Sequence, residues 1–297
     1  MQSVKIVEVG PRDGLQNEKQ PLSAEIKLEL IRRLAETGLS AIEAGAFVSP
    51  KWVPQMAGSA EVLAALDAAG PIAYPVLVPN DKGLDAALEA GAREIAVFGA
   101  ASESFSQKNI NASIAESLQR FESVTRHALD AGVKVRGYVS CVVGCPYEGR
   151  IAPQKVADVA RALADLGCYE ISLGDTIGVG TPASVREMLD EVLDVLPAKQ
   201  LAGHFHDTYG MAVANIRAAL DIGLRVFDAS VAGLGGCPYA RGASGNVATE
   251  DVAYLLAGEG YHTGIDLTKL VDVAWFIADA LGKPPASKLA HALGRQG

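Results

Sequence analysis

Short apolar, β-branched runs alternate with amphipathic stretches along almost the whole chain. The first run is VKIVEV at 4–9, and others lie near 40–43, 72–78, 94–98, 133–139, 169–173, 200–204 and 226–231. Strand-like runs separated by helix-length amphipathic segments indicate repeated βα units. SAEIKLELIRRLAETG shows the helical half of one unit: apolar residues at 26, 30, 31 and 34 follow a Ser23 cap and stop at Gly38. The same stop recurs at Gly91, Gly132, Gly167 and Gly223, where a glycine just past a helix end turns the chain into the next strand. A doubly wound open sheet would share this rhythm. Eight units within about 250 residues decide for a closed (β/α)8 TIM barrel. The expectation is a single catalytic domain over 1–297, with the barrel reaching to about 258 and a short helical C-terminal extension over 259–297.

Composition narrows the class. The chain has 297 residues, is 49% hydrophobic and has no apolar run of membrane-spanning length, as expected of a soluble domain with a large core. A net charge of −9 argues against general binding to nucleic acid or to an anionic membrane. The four cysteines include no CxxC pair and do not form a disulfide framework, so reduced thiols are expected. A strand-like run beginning at residue 4 leaves no room for a leader, which favours the cytoplasm.

In a TIM barrel the chemistry sits on the loops that follow the strands. Those loops carry VGPRDGLQNEK, IEAGAFVSPKW, SCVVGCPYEG, LGDTIGVG, GHFHDTYG and VAGLGGCPYARGASGN. His204 and His206, two apart on a strand, point the same way and can share one cation. Asp13 follows the first strand, which neighbours the eighth in a closed barrel, and Asn246 lies just beyond the eighth. Two imidazoles, a carboxylate and an amide oxygen, without a thiolate, suit Mg or Mn, with zinc also possible. Arg12 beside Asp13 offers a charged donor to an oxyanion, and Glu43, ending an apolar run, needs a partner that Arg12 can supply. Asp175 either orients a ligand histidine or caps the next turn. Cys237 lies among the glycines of 231–246, and Gly235 and Gly236 are expected to need backbone angles that alanine resists.

The phrases VEVGPRDGLQNEK, FVSPKWVPQM, VFGAASESFS, RGYVSCVVGCPYEG, LGDTIGVGTP, HFHDTYG and VAGLGGCPYARGASGNVATEDV, which together span nearly the whole chain, resemble the 3-hydroxy-3-methylglutaryl-CoA lyase family. The resemblance implies cleavage of 3-hydroxy-3-methylglutaryl-CoA to acetyl-CoA and acetoacetate, a step of leucine degradation, with Mg or Mn on Asp13, His204, His206 and Asn246. It implies a catalytic set of Arg12, Asp13, Glu43, His204 and Cys237, with Arg12 stabilising an enolate and Cys237 moving a proton from a mobile loop. Arg12, Gln16, Lys19 and Asp175 are the substrate-binding candidates, and the partners implied are an acyl-CoA substrate and a second copy in a homodimer. Asp13 and His204 stay open as the base for the substrate hydroxyl. The related options are a lyase acting on a longer branched 3-hydroxyglutaryl-CoA and a metal-dependent pyruvate-type aldolase. Cys145, in a second GCPY phrase, competes with Cys237, whose loop carries more glycine and leads to Asn246. Ala46 stands where relatives are expected to carry serine or another small polar residue.

Overall fold

The computed structural model describes residues 2–67, 69–236 and 244–295. Eight parallel strands form the barrel: β1 Lys5–Glu8, β2 Gly45–Ala46, β3 Val76–Leu77, β4 Glu94–Ala100, β5 Lys134–Ser140, β6 Glu170–Asp175, β7 Leu201–Phe205 and β8 Val226–Ala229. They pair in the order β1-β8-β7-β6-β5-β4-β3-β2. The sheet closes where Glu8 bridges Ile42: the Glu8 amide donates to the Ala41 carbonyl at 3.0 Å and the Glu43 amide to the Glu8 carbonyl at 2.8 Å. Closure pairs the outermost strands of the sheet and gathers their C-terminal ends around one mouth.

Helix α1, Ala24–Ala35, has the Ser23 cap, whose side chain accepts from the Ile26 amide. Leu30, Ile31 and Leu34 on its apolar face are fully buried, each contributing roughly 1.5–3 kcal/mol of hydrophobic stabilisation. All five glycines expected to end helices have positive φ, from 74° at Gly132 to 113° at Gly223. Beyond the eighth strand come helices Thr249–Gly258, Leu267–Leu281 and Lys288–Leu293. The Ala286 amide donates to the Ala232 carbonyl at 2.8 Å and ties this C-terminal part to the loop after β8. Among the described residues no helix is long and apolar enough to cross a membrane.

Two local features differ from the sequence expectation. The second strand was expected at 40–43, but its ladder extends further: Ile42, Ala44 and Phe47 donate to the carbonyls of Ala73, Pro75 and Leu77 at 2.9, 2.9 and 2.8 Å. Glu43 therefore lies within the ladder instead of at its end. The stretch after β5, expected as a loop, contains an antiparallel pair of Gly144–Cys145 with Gly149–Arg150. Pro146, Tyr147 and Glu148 make its turn, and Gly149, which opens the returning strand, has a φ of 73°.

Candidate active site and metal centre

After β1 the chain makes one π-type turn over Gly10–Gly14, with the Gly14 amide donating to the Val9 carbonyl at 3.1 Å. Its glycines are forced by packing. A Cβ on Gly10 would stand 2.5 Å from Glu8 Oε1, and one on Gly14 would stand 2.5 Å from Ser230 Oγ. Glu8 organises the region from below: its carboxylate accepts from the amides of Gly10 at 2.7 Å and Val231 at 2.9 Å, and from the Thr249 hydroxyl at 2.6 Å. Burial, only partly offset by these bonds, pushes Glu8 up to about 7. Glu250, which accepts from the Ala232 amide at 2.9 Å, is likewise pushed up by burial, to about 8.

The turn sets Arg12 and Asp13 at the mouth. Arg12 Nε donates to Glu43 Oε2 at 2.7 Å and Nη1 to Asp13 Oδ1 at 2.6 Å, the partnership expected from sequence. Glu43 is fully buried and its Oε1 has no hydrogen-bond partner among the described residues. Burial raises the Glu43 carboxyl above its ordinary value against the opposing pull of Arg12. Burial works the same way on Asp13, but Arg12 and the two imidazoles hold it well below the usual carboxylate range.

His204 and His206 both lie 3.9 Å, Nε2 to Oδ2, from Asp13, with their ring centroids 5.4 Å apart. One ligand atom from each of the three residues falls within 4.8 Å of the others, a spacing that a single cation can bridge. Asn246 joins them, its Nδ2 donating to Asp13 Oδ2 at 2.8 Å and to the Leu234 carbonyl at 3.2 Å. Liganding through its oxygen requires the amide to turn over. The donor set of one carboxylate, two imidazoles and an amide fits Mg or Mn.

A buried network that sequence reasoning missed stands behind His204. Its Nδ1 lies 3.1 Å from Asp228 Oδ2. Asp228 also accepts from Ser172 Oγ at 2.6 Å and from Arg136 Nη2 at 2.7 Å, and Arg136 Nε donates to Glu170 at 2.7 Å. Burial lowers the proton affinity of His204, but the hydrogen bond and charge of Asp228 outweigh it and leave the imidazole above its ordinary value. The available signal is an interior charge in each of two apolar runs, Arg136 in KVRGYVS and Asp228 in VFDAS. Such a residue must either face the interior with a partner or break the strand.

The other candidates are placed as follows. Asp175 is fully buried and accepts from the amides of Val179 at 3.2 Å and Gly180 at 2.7 Å, the geometry of a turn cap. Gln16 is half-buried and Lys19 exposed on the loop after β1. On the same loop Asn17 Nδ2 donates to the Gly236 carbonyl at 2.9 Å, joining it to the loop after β8. Cys237 lies outside the described residues. Cys145 is buried, and its sulfur accepts from Ser102 Oγ at 2.9 Å. Burial pushes the Cys168 thiol up to about 12, in line with an inert structural role. Gly235 has a φ of 128°, and a Cβ there would stand 2.9 Å from Asn246 Nδ2, whereas a Cβ on Gly236 would meet nothing within 4 Å among the described residues.

A family model described as HMGL-like matches residues 3–277. The chain is 60% identical over 289 residues to the mitochondrial hydroxymethylglutaryl-CoA lyase of Bos taurus, covering 97% of this chain and 89% of that protein. It is also 60% identical over 293 residues to the hydroxymethylglutaryl-CoA lyase of Pseudomonas mevalonii, covering 99% and 97%. The crystal structure of hydroxymethylglutaryl-CoA lyase from Pseudomonas aeruginosa superposes with a TM-score of 0.96 at 58% identity, over 98% of this chain and 97% of that one. An HMG-CoA lyase from Acinetobacter baumannii, solved in complex with coenzyme A and 3-methylmalate, gives 0.93 at 37% identity over 98% and 95%. The chain, a closed eight-stranded barrel with this site at its mouth, belongs to the HMGL-like family.

Proposed function

We propose that this protein cleaves 3-hydroxy-3-methylglutaryl-CoA to acetyl-CoA and acetoacetate. The observation that carries the reading is the convergence of Arg12, Asp13, Glu43, His204 and His206 at one barrel mouth, in a chain 60% identical to hydroxymethylglutaryl-CoA lyases. A retro-Claisen cleavage needs a base for the tertiary hydroxyl, a donor for the enolate oxygen and an acid for the carbon released. A Mg or Mn ion held by Asp13, His204, His206 and a turned Asn246 would supply Lewis acidity toward the substrate oxygens.

The chain's own groups supply the rest. Asp13 and His204 are the two candidates to take the hydroxyl proton, His204 only while its Nε2 is not engaged by the ion. With Nε committed to Glu43 and Nη1 to Asp13, Arg12 has Nη2 for the enolate oxygen, on a guanidinium whose orientation is already fixed. Glu43 maintains that orientation from a fully buried position. Cys237 delivers a proton to carbon, a role supported by its place in a glycine-rich stretch that leads to Asn246 and by the contact of Asn17 with Gly236, the residue before it. Asp175 shapes the loop after β6 beside the substrate, and Gln16 and Lys19 on the loop after β1 contact the coenzyme A portion. Assembly as a homodimer belongs to the same proposal and is checked by light scattering.

Purified protein incubated with 3-hydroxy-3-methylglutaryl-CoA and Mg or Mn should release acetoacetate and acetyl-CoA in equal amounts. Turnover of a longer branched analogue or of a pyruvate aldol, with none of this substrate, would replace the reading with one of its relatives.

A further inference from the structure

The two histidines at the mouth are held differently. The Nδ1 of His206 is buried with no hydrogen-bond partner among the described residues. His204 instead stands in register with Asp228 on the neighbouring strand, and its Nδ1 meets Asp228 Oδ2 at 3.1 Å. We propose that Asp228 is a positioning residue that fixes His204 with its proton on Nδ1, so that the Nε2 lone pair is presented to the centre shared with Asp13 and His206. The proposal rests on the functional reading above for the role of His204 and deepens it by locating what sets that ligand.

The geometry leaves Asp228 little freedom to do anything else. Oδ1 accepts from Arg136 Nη2 at 2.7 Å, and Oδ2 accepts from Ser172 Oγ at 2.6 Å and Arg136 Nη1 at 3.3 Å. Arg136 is in turn held by Glu170 at 2.7 Å. These groups come from β5, β6 and β8, and Arg136, Ser172 and Asp228 are at most 1% exposed. A carboxylate has no hydrogen to donate, so at the His204 contact the imidazole must be the donor. That contact assigns the tautomer and aims the ring, the arrangement in which a carboxylate behind a ligand histidine raises its affinity for a cation. His206 has no such support among the described residues, and it serves as the internal comparison.

Replacing Asp228 by Asn keeps the shape but adds a hydrogen-bearing nitrogen. The amide oxygen stays toward Arg136 Nη2, because an NH2 group there would face a donor at 2.7 Å. The amide nitrogen then falls at the Oδ2 position and donates to His204 Nδ1, which moves the ring proton to Nε2. Ser172→Ala removes one support of Asp228 while leaving its carboxylate against His204.

The test uses 15N-labelled, metal-free full-length protein at alkaline pH, where the imidazoles are neutral, with tautomers read from two-bond 1H–15N couplings. Wild-type His204 is expected to be the Nδ1–H form. In Asp228→Asn its signature should switch to Nε2–H, and Mn(II) affinity, measured by the EPR signal of free Mn(II), should fall by about 10–100-fold. Ser172→Ala should keep the Nδ1–H form with a smaller loss. A wild-type His204 in the Nε2–H form overturns the proposal, and needs no variant to fold. So does a folded Asp228→Asn protein, checked by circular dichroism, with unchanged tautomer and Mn(II) affinity. Acetoacetate release by the wild type is assayed alongside: its absence would defeat the functional reading while the tautomer and Mn(II) results still decide the role of Asp228.

Discussion

Glu8→Gln tests the way the floor of the site is built. The Glu8 side chain joins the turn that presents Arg12 and Asp13 to the start of the loop after β8, through Gly10, Val231 and Thr249. Its pKa is about 7 in the fold against an ordinary 4.5, so between those values the folded chain binds a proton that the unfolded chain has lost. Stability from this group is fully present below pH 4.5 and is lost as pH rises through about 7. A shift of that size corresponds to at most about 3 kcal/mol. Glutamine keeps the oxygen that accepts from Gly10 and Val231 and offers an NH2 to the Thr249 hydroxyl, without a charge to desolvate. The variant should match the wild type at pH 5 and exceed it at pH 8. For a 297-residue chain the difference is on the order of 5 °C in Tm. The loss of a like charge also lowers the proton affinity of Glu250 and adds to the gain in the same direction. Scanning calorimetry at the two pH values measures it. An advantage that does not grow with pH, or a variant less stable at pH 8, would refute the reasoning.

Arg12→Gln should lower kcat by about a hundred-fold or more with little change in KM, and Arg12→Lys should be almost as poor, because lysine cannot hold Glu43 and Asp13 through one planar fork; steady-state kinetics would expose a loss confined to KM. Gly235→Ala should weaken Mn(II) binding by about tenfold by pressing on Asn246, while Gly236→Ala should leave it unchanged, as titration of each variant would show. This departs from the sequence expectation, which treated the two glycines alike. Cys237→Ser should fold but lose most turnover, and Cys145→Ser should do little, with peptide mapping after thiol alkylation identifying the residue that a substrate analogue protects.

The barrel was legible because each strand run and each helix-ending glycine gives a local signal, and eight repeats leave few arrangements. Arg12 with Glu43, and Asp13 with His204 and His206, were legible because barrel closure makes strand neighbours predictable. The second strand was placed too short because Glu43 breaks the apolar run at 40–43, although its backbone still pairs. The hairpin at 144–150 was hidden because two-residue strands carry no periodicity, and only Pro146 and Gly149 mark it. The supports of Glu8 and Asp228 were invisible for a different reason. Glu8 meets Thr249 and Asp228 meets Arg136 across 241 and 92 positions of sequence, and which interior charge meets which depends on register. For Asp175 the sequence offers two roles, and the Val179 and Gly180 amides give it the turn-capping geometry.

The central proposal is that Asp13, His204, His206 and Asn246 hold a divalent ion that cleavage of 3-hydroxy-3-methylglutaryl-CoA requires. The direct measurement is acetoacetate formation from 3-hydroxy-3-methylglutaryl-CoA by the purified protein before chelation, after exhaustive chelation, and after return of Mg or Mn. The account predicts turnover that disappears on chelation and comes back with either ion, and that does not come back when His206→Ala protein is treated in the same way at low ion concentration. Full turnover by the chelated, metal-free protein would contradict it.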